Sequence, residues 1–162
     1  MIEPTTSPRG FTLLIAVIMC SVLVSVGLAL LDITYKQVLL AQAATQAQYA
    51  FYNADTALEC ALYWDQKVGV FVWDFPGSQG NTALDVKCQG LDVPNYTVTQ
   101  SGGIRTTSFS VPCAPPLSGT LGTVIVNKTA TNATTIYANG YNTCNASDPK
   151  RIERGLKAQY GS

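Results

Sequence analysis

The residues of this sequence with the most specific chemistry are its cysteines: Cys20, Cys60, Cys88, Cys113 and Cys144. Cys20 lies within an apolar run, where a small buried thiol is expected. The other four predict either two disulfides in an oxidising compartment or a zinc site built from four thiolates. Because no two of them have the C-x2-4-C spacing of a zinc knuckle, we predict disulfides and no metal site.

Side chains that could catalyse a reaction are sparse. Histidine is absent from the 162 residues, which removes imidazole acid–base chemistry, histidine-activated nucleophiles and histidine metal ligands together. Asp55 and Glu59 are four residues apart and could pair as acid and base on a helix, but a solvated helix face explains them equally well. We therefore expect no enzyme activity, no catalytic residue and no cofactor.

The charge composition disfavours nucleic acid as a partner. Lys plus Arg and Asp plus Glu each total 10, so the net charge is zero. Nucleic-acid binding depends on a basic surface, which this composition does not supply. Only 12% of the residues are charged, roughly half of the ~25% usual in soluble domains, which indicates a surface suited to packing.

An apolar run from Phe11 to Leu31 contains no charged residue. As a helix of about 31 Å it matches the hydrocarbon core of a bilayer. A secretory signal peptide is the alternative, and "AQA" at Ala41 to Ala43 has the small-x-small pattern of a cleavage site. The run is longer than the roughly 7 to 15 residues of a signal peptide, and its start is nearly neutral, so we predict a membrane-spanning helix over 11–31.

The helical pattern continues beyond the apolar run, over 32–67. An apolar stripe recurs there at spacings of four and three: Leu40, Ala44, Ala47, Phe51, Ala54, Leu58 and Ala61. Such a stripe is typical of a helix with one buried face. We therefore predict one helix from Phe11 to Lys67, ended by a left-handed Gly69.

Residues 68–162 have the pattern of a β-rich domain. Strand-like runs separated by Gly, Pro and Asn predict an antiparallel sheet of about five or six strands: "DVKCQG", "NYTVTQ", "TTSFSV", "GTVIVNK", "TTIYANG" and "RIERGLKAQY". One face of the sheet is expected to pack on the striped helix, which gives an α+β fold. Among the three possible pairings of the four later cysteines, we predict Cys60 with Cys88 and Cys113 with Cys144.

A short leader that ends in Gly10, followed by Phe11, an apolar helix, an amphipathic stem and a disulfide-bearing sheet, resembles the type IV pilin and pseudopilin superfamily. The junction reads "SPRGFTLLIAVIMC", and the stem segment "AFYNADTALECALYWD", Ala50 to Asp65, is similar to stems of PilX-like minor pilins and of pilin-like proteins from uncultured small-genome bacteria. The resemblance covers the first third of the chain well and the sheet weakly. It implies a pilin-like fold.

The resemblance also implies processing, partners and a location. A prepilin peptidase would cut between Gly10 and Phe11, remove the leader 1–10 and methylate the new amine of Phe11. The partners would be other pilin subunits, that peptidase and an inner-membrane assembly platform. The chain would sit in a bacterial cytoplasmic membrane with its leader inside and its sheet outside, and would then move into an extracellular filament.

One position departs from the pattern of the subunits that form the filament body. Those subunits have a glutamate at the fifth residue after the cut, and this chain has Ile15. The glutamate is thought to meet the amine of a neighbouring subunit inside an apolar bundle, so a chain without it suits the tip, where no subunit lies ahead. We expect a minor, tip or priming subunit, with a major pilin that lacks the glutamate as the alternative.

Two further alternatives remain open. The chain could be a single-pass anchored binding domain that never polymerises, or a secreted domain released by signal peptidase. The three classes differ in the first residue of the mature protein, which is Phe11 for a filament subunit, Met1 for an anchored domain and a residue near Ala44 for a secreted one. The sequence does not separate adhesion, motility, secretion and DNA uptake.

Overall fold

The computed structural model describes residues 9–71, 86–93 and 96–161. The chain divides after Ala43 into two compact units, which are described separately here. A helix, α1 (Arg9–Tyr63), provides all of the described part of the first unit and begins the second. From Phe11 to Ala43 every side chain on α1 is exposed in the isolated chain. The start of α1 agrees with the predicted start at Phe11 to within two residues.

The end of the stem differs from the prediction in one respect. The α-helix ends at Tyr63, and a single π-helical turn, Trp64–Val68, follows it. Gly69 then adopts a left-handed conformation with φ 70°, and its N–H donates to the carbonyl of Trp64. Glycine takes this conformation without the steric penalty of a Cβ, so the predicted stop at Gly69 is confirmed.

The second unit contains a five-stranded antiparallel sheet that follows the helix in sequence. Its strands are β3 (Thr97–Ser101), β4 (Ile104–Pro112), β5 (Thr120–Thr129), β6 (Thr134–Tyr141) and β7 (Glu153–Tyr160). Neighbours in sequence are neighbours in the sheet, in the order β3-β4-β5-β6-β7. Two shorter strands, β1 (Lys87–Cys88) and β2 (Leu91–Asp92), pair only with each other.

The predicted strand "DVKCQG" is therefore present only as the two residues of β1, outside the main sheet. Gln89 and Gly90 both have positive φ angles, which turn the chain directly after Cys88. A turn at this point ends the strand because a continuing extended strand needs negative φ. The other five predicted strands form the main sheet, and the α+β layout of a helix packed on an antiparallel sheet is confirmed.

The face of α1 that packs on the sheet is a row of alanines: Ala50, Ala54, Ala57 and Ala61 are all fully buried. The predicted stripe is confirmed at Ala54 and Ala61, but Ala50 and Ala57 are buried in place of their neighbours: Phe51 remains 45% exposed and Leu58 is only partly buried. The physical reason is the closeness of the sheet. A Cβ on Gly140 would lie 2.1 Å from the backbone nitrogen of Ala54, so only the smallest side chains fit on this face.

The core lies between this alanine row and the inner face of the sheet. Alternating residues of the central strands fill it, as the period of two requires: Phe109, Val111, Val124, Val126, Ile136 and Ala138. Phe71, just after the stem, stacks on Phe109 with ring centroids 6.0 Å apart. A hydrogen bond also joins α1 to β6, because the Asn53 amide donates to the carbonyl of Tyr141 at 2.7 Å.

Candidate functional sites

The apolar part of α1 is the first candidate site. A window of this helix has a mean hydropathy of 2.8, and none of that window is buried. It is long and apolar enough to cross a bilayer. The predicted Gly10–Phe11 cut lies within the first three residues of α1, and Ile15 lies five residues into the run. The first eight residues of the predicted leader lie outside the described residues.

Two disulfides fasten the second unit. Cys60 bonds Cys88 with a Cα–Cα distance of 5.7 Å, and Cys113 bonds Cys144 with a Cα–Cα distance of 6.2 Å. These are the pairs that we predicted. The first joins the stem to β1, and the second joins the end of β4 to the connection between β6 and β7. Cys20 is unpaired and exposed on α1, not buried as we expected, because no described residue of the first unit packs against it.

A cleft of about 700 Å³ lies beside the second disulfide. Its walls are two loops, 116–119 and 142–146, and no charged side chain lines it. Gly119 has φ 122°, and a Cβ there would lie 2.1 Å from the carbonyl oxygen of Cys144. The two loops are brought together only by the fold, so no local pattern in the sequence indicates this cleft. Its hydroxyl and amide groups suit an uncharged polar ligand.

The acid pair considered for catalysis lies on the stem. Glu59 is exposed and Asp55 is half-buried, and both point away from the alanine row that packs on the sheet. Neither forms an ion pair with another residue in the described part of the chain. Within residues 9–71, 86–93 and 96–161 no three acidic, cysteine or histidine side chains are grouped as metal ligands. Within the described residues, Asp55 and Glu59 therefore have no ion-pair partner that would support acid–base catalysis.

A buried polar cluster, which the sequence analysis missed, lies where the π-helical turn crosses the sheet. Asp65 accepts a hydrogen bond from Lys128 Nζ at 2.6 Å through Oδ1 and one from the Tyr160 hydroxyl at 2.5 Å through Oδ2. The side chains of Asp65 and Lys128 are only 3% and 13% exposed. One signal could have indicated this cluster: Asp65 follows Ala61 by four residues and therefore continues the buried side of the helix.

Burial, followed by the hydrogen bond and charge of Asp65, raises the pKa of Tyr160 well above the ordinary value for tyrosine. Because the folded-state pKa is the higher one, the phenol contributes stability that is fully present below about pH 10 and is lost as the pH rises through the folded-state pKa. We expect the Tyr160→Phe variant to lose less stability than the wild-type chain between about pH 10 and pH 12.

The check is the free energy of unfolding from denaturant titrations across this pH range. Tyr137→Phe is the matched control, because Tyr137 is 42% exposed on the outer face of the same sheet. Equal alkaline losses in wild-type and Tyr160→Phe chains would contradict the assignment.

Comparisons of the chain with protein-family models, with curated proteins and with solved structures find no match.

Proposed function

We propose that this chain is a subunit of a type IV pilus or pseudopilus, anchored in a membrane before assembly. The observation that carries the proposal is the helix α1: its residues 11–31 are charge-free and exposed, and its later part packs on a disulfide-bonded sheet. The apolar part of α1 covers no core of its own, so it needs another apolar environment. Lipid supplies that environment before assembly, and the apolar helices of other subunits supply it in the filament.

Assembly of this kind needs no catalysis by the chain itself. When the apolar part of α1 leaves lipid and packs against the apolar helices of other subunits, it exchanges one apolar contact for another. The hydrophobic penalty of extraction from the membrane is therefore small. The sheets would then form the outer layer through heterologous contacts. The mechanical work would come from a motor ATPase and an assembly platform, which are partners that the resemblance implies.

The orientation and the compartment agree with this proposal. Arg9 precedes the apolar run and the first acidic residue after it is Asp32, a charge difference that favours the leader inside and the sheet outside by the positive-inside tendency. The two disulfides of the second unit favour an oxidising compartment on that outer side.

The test is the intact mass of the mature chain purified from its native membrane or filament. We expect a chain that begins at Phe11 and carries one methyl group. A chain that begins at Met1 would favour the anchored domain, and one that begins near Ala44 would favour the secreted domain. Either of those results would overturn the proposal.

Two glycines on α1 provide a matched pair of variants. Gly10→Leu is expected to block the cut, so that the chain keeps its first ten residues. Gly27→Ala should leave the cut unaffected, because a Cβ at Gly27 meets nothing within 4 Å. Equal processing of the two variants would contradict a cut at Gly10.

Within this function we assign the chain the role of a minor subunit at the tip or in priming, because Ile15 replaces the glutamate of body subunits. A body subunit without that carboxylate would leave the amine of its neighbour unpaired in an apolar bundle, which is unfavourable by several kcal/mol. The copy number in sheared filaments tests this role. We expect a small fraction of the total subunits, and a dominant band of this chain would identify a major pilin.

A further inference from the structure

Three adjacent strands place a row of one buried and two half-buried side chains beneath Asp65. In the register of the sheet, Lys128 on β5 lies opposite Thr134 on β6, and Thr134 lies opposite Tyr160 on β7. Thr134 is 1% exposed, so it separates Lys128 from Tyr160 without admitting water between them. Asp65 lies over this row and contacts the amine with one carboxylate oxygen and the phenol with the other.

We propose that this cluster is a modification site, where Lys128 Nζ and Asp65 Cγ join through an amide bond with release of one water. The proposal goes beyond the filament function and does not depend on it. The resulting cross-link would connect the end of the stem to strand β5. The proposal is supported by the geometry of three side chains: Asp65, Lys128 and Tyr160.

The first step is proton transfer within the pair. Nucleophilic attack needs the neutral amine, so one proton must first leave the Lys128 ammonium. A proton can pass from Lys128 Nζ to Asp65 Oδ1 along the 2.6 Å hydrogen bond.

The second step is attack by the lone pair of Nζ on Cγ. Negative charge then develops on Oδ2, which already accepts a hydrogen bond from the Tyr160 hydroxyl at 2.5 Å. A hydrogen-bond donor that is held where negative charge develops lowers the activation barrier of acyl transfer. Tyr160 acts here as a positioning and charge-stabilising group, and it remains protonated throughout.

The third step is loss of water. Oδ1 leaves with two protons that both come from Nζ, one transferred before the attack and one after it, and Nζ keeps the third as the amide N–H. The atoms and charges balance, since an ammonium and a carboxylate give one amide and one water. No oxidant, reductant or other reagent is needed. Because the fold already holds the amine beside the carboxyl group, the two groups need no encounter in solution. Effective molarities of well-oriented intramolecular reactions reach about 10⁵ M or more.

The experiment is the intact mass of the full-length chain in detergent, after reduction of both disulfides. We expect the wild-type mass to be lower than the sequence mass by one water, and a protease digest to contain a branched peptide that joins Asp65 to Lys128. Lys128→Arg and Asp65→Ala should both have the full sequence mass and no branched peptide. The branched peptide distinguishes this reaction from dehydration elsewhere in the chain.

Asp65→Asn is the sharpest variant. A side-chain amide reacts with the same amine by releasing ammonia in place of water, so this variant is expected to reach the same final mass as the cross-linked wild type. An ion pair alone does not predict that result. Tyr160→Phe should lower the rate at which the wild-type cross-link accumulates, while the total after long incubation stays the same.

Wild-type and Asp65→Asn chains that both keep their full sequence mass after long incubation, with no branched peptide, would overturn the proposal and leave a simple ion pair. The outcome is distinguishable from failure of the filament proposal. The first residue of the chain reports on processing, and the branched peptide reports on the cross-link, in separate peptides of one digest.

Discussion

Replacing Gly140 with alanine is expected to lower the free energy of unfolding by at least about 3 kcal/mol, at the upper end of the range for overpacked cores. The new Cβ would lie 2.1 Å from the backbone nitrogen of Ala54 and 2.4 Å from the carbonyl oxygen of Ala50. Both atoms belong to the backbone of a helix, so no side-chain rotation can relieve the clash. The stem would have to move away from β6, and the alanine row would lose its contacts.

The measurement is denaturant unfolding of the full chain in detergent, followed by near-ultraviolet circular dichroism of the aromatic residues in the second unit. Gly155→Ala on the neighbouring strand is the matched control. Its Cβ would lie 2.9 Å from Oδ1 of Asn139, the end of a side chain that can move, so its effect should be small. A Gly140→Ala variant as stable as the Gly155→Ala variant would show that the helix does not approach the sheet this closely.

Replacing Lys128 with methionine is expected to lower the free energy of unfolding by about 3 to 5 kcal/mol. The variant keeps the buried carboxylate of Asp65 and removes the cation that lies 2.6 Å from it, which leaves the Tyr160 hydroxyl as its partner. A charge in a poorly hydrated site without a counter-charge is strongly unfavourable. If the wild-type chain carries the cross-link, the cross-link adds its own stabilisation, and the difference between wild type and variant is then larger.

Lys157→Met is the control for loss of one positive charge from the same sheet. Lys157 is exposed on β7, and its ammonium lies 5.4 Å from the centre of the Tyr137 ring, so we expect a change within about 0.5 kcal/mol. The comparison uses urea titrations of both variants and the wild type. Equal stabilities of the two variants would contradict a buried role for Lys128.

These two results concern one structural question, the attachment of the stem to the sheet. The alanine row and Gly140 provide close backbone packing in the middle of the interface. Asp65 and the Cys60–Cys88 disulfide fasten the end of the stem.

Much of the fold was readable from the sequence because its signals are local. A charge-free run, the period of a helix and a stop at Gly69 are properties of consecutive residues, and the structure has α1 and its left-handed end where they were expected. The β-branched runs after residue 95 likewise correspond to β3–β7. The cysteine pairing followed from the spacing of residues along these elements.

The tertiary structure decided which residues meet, because that depends on distances across the fold. The stripe containing Phe51 satisfies the helical period. The helix lies so close to the glycines of the sheet, however, that only alanine side chains fit between them, so the row containing Ala50 is the buried face. The cleft beside Cys144 and the contact of Asp65 with Lys128 and Tyr160 join segments far apart in sequence. No local pattern specifies such contacts, since they arise from the register of the strands and the closeness of the helix to the sheet.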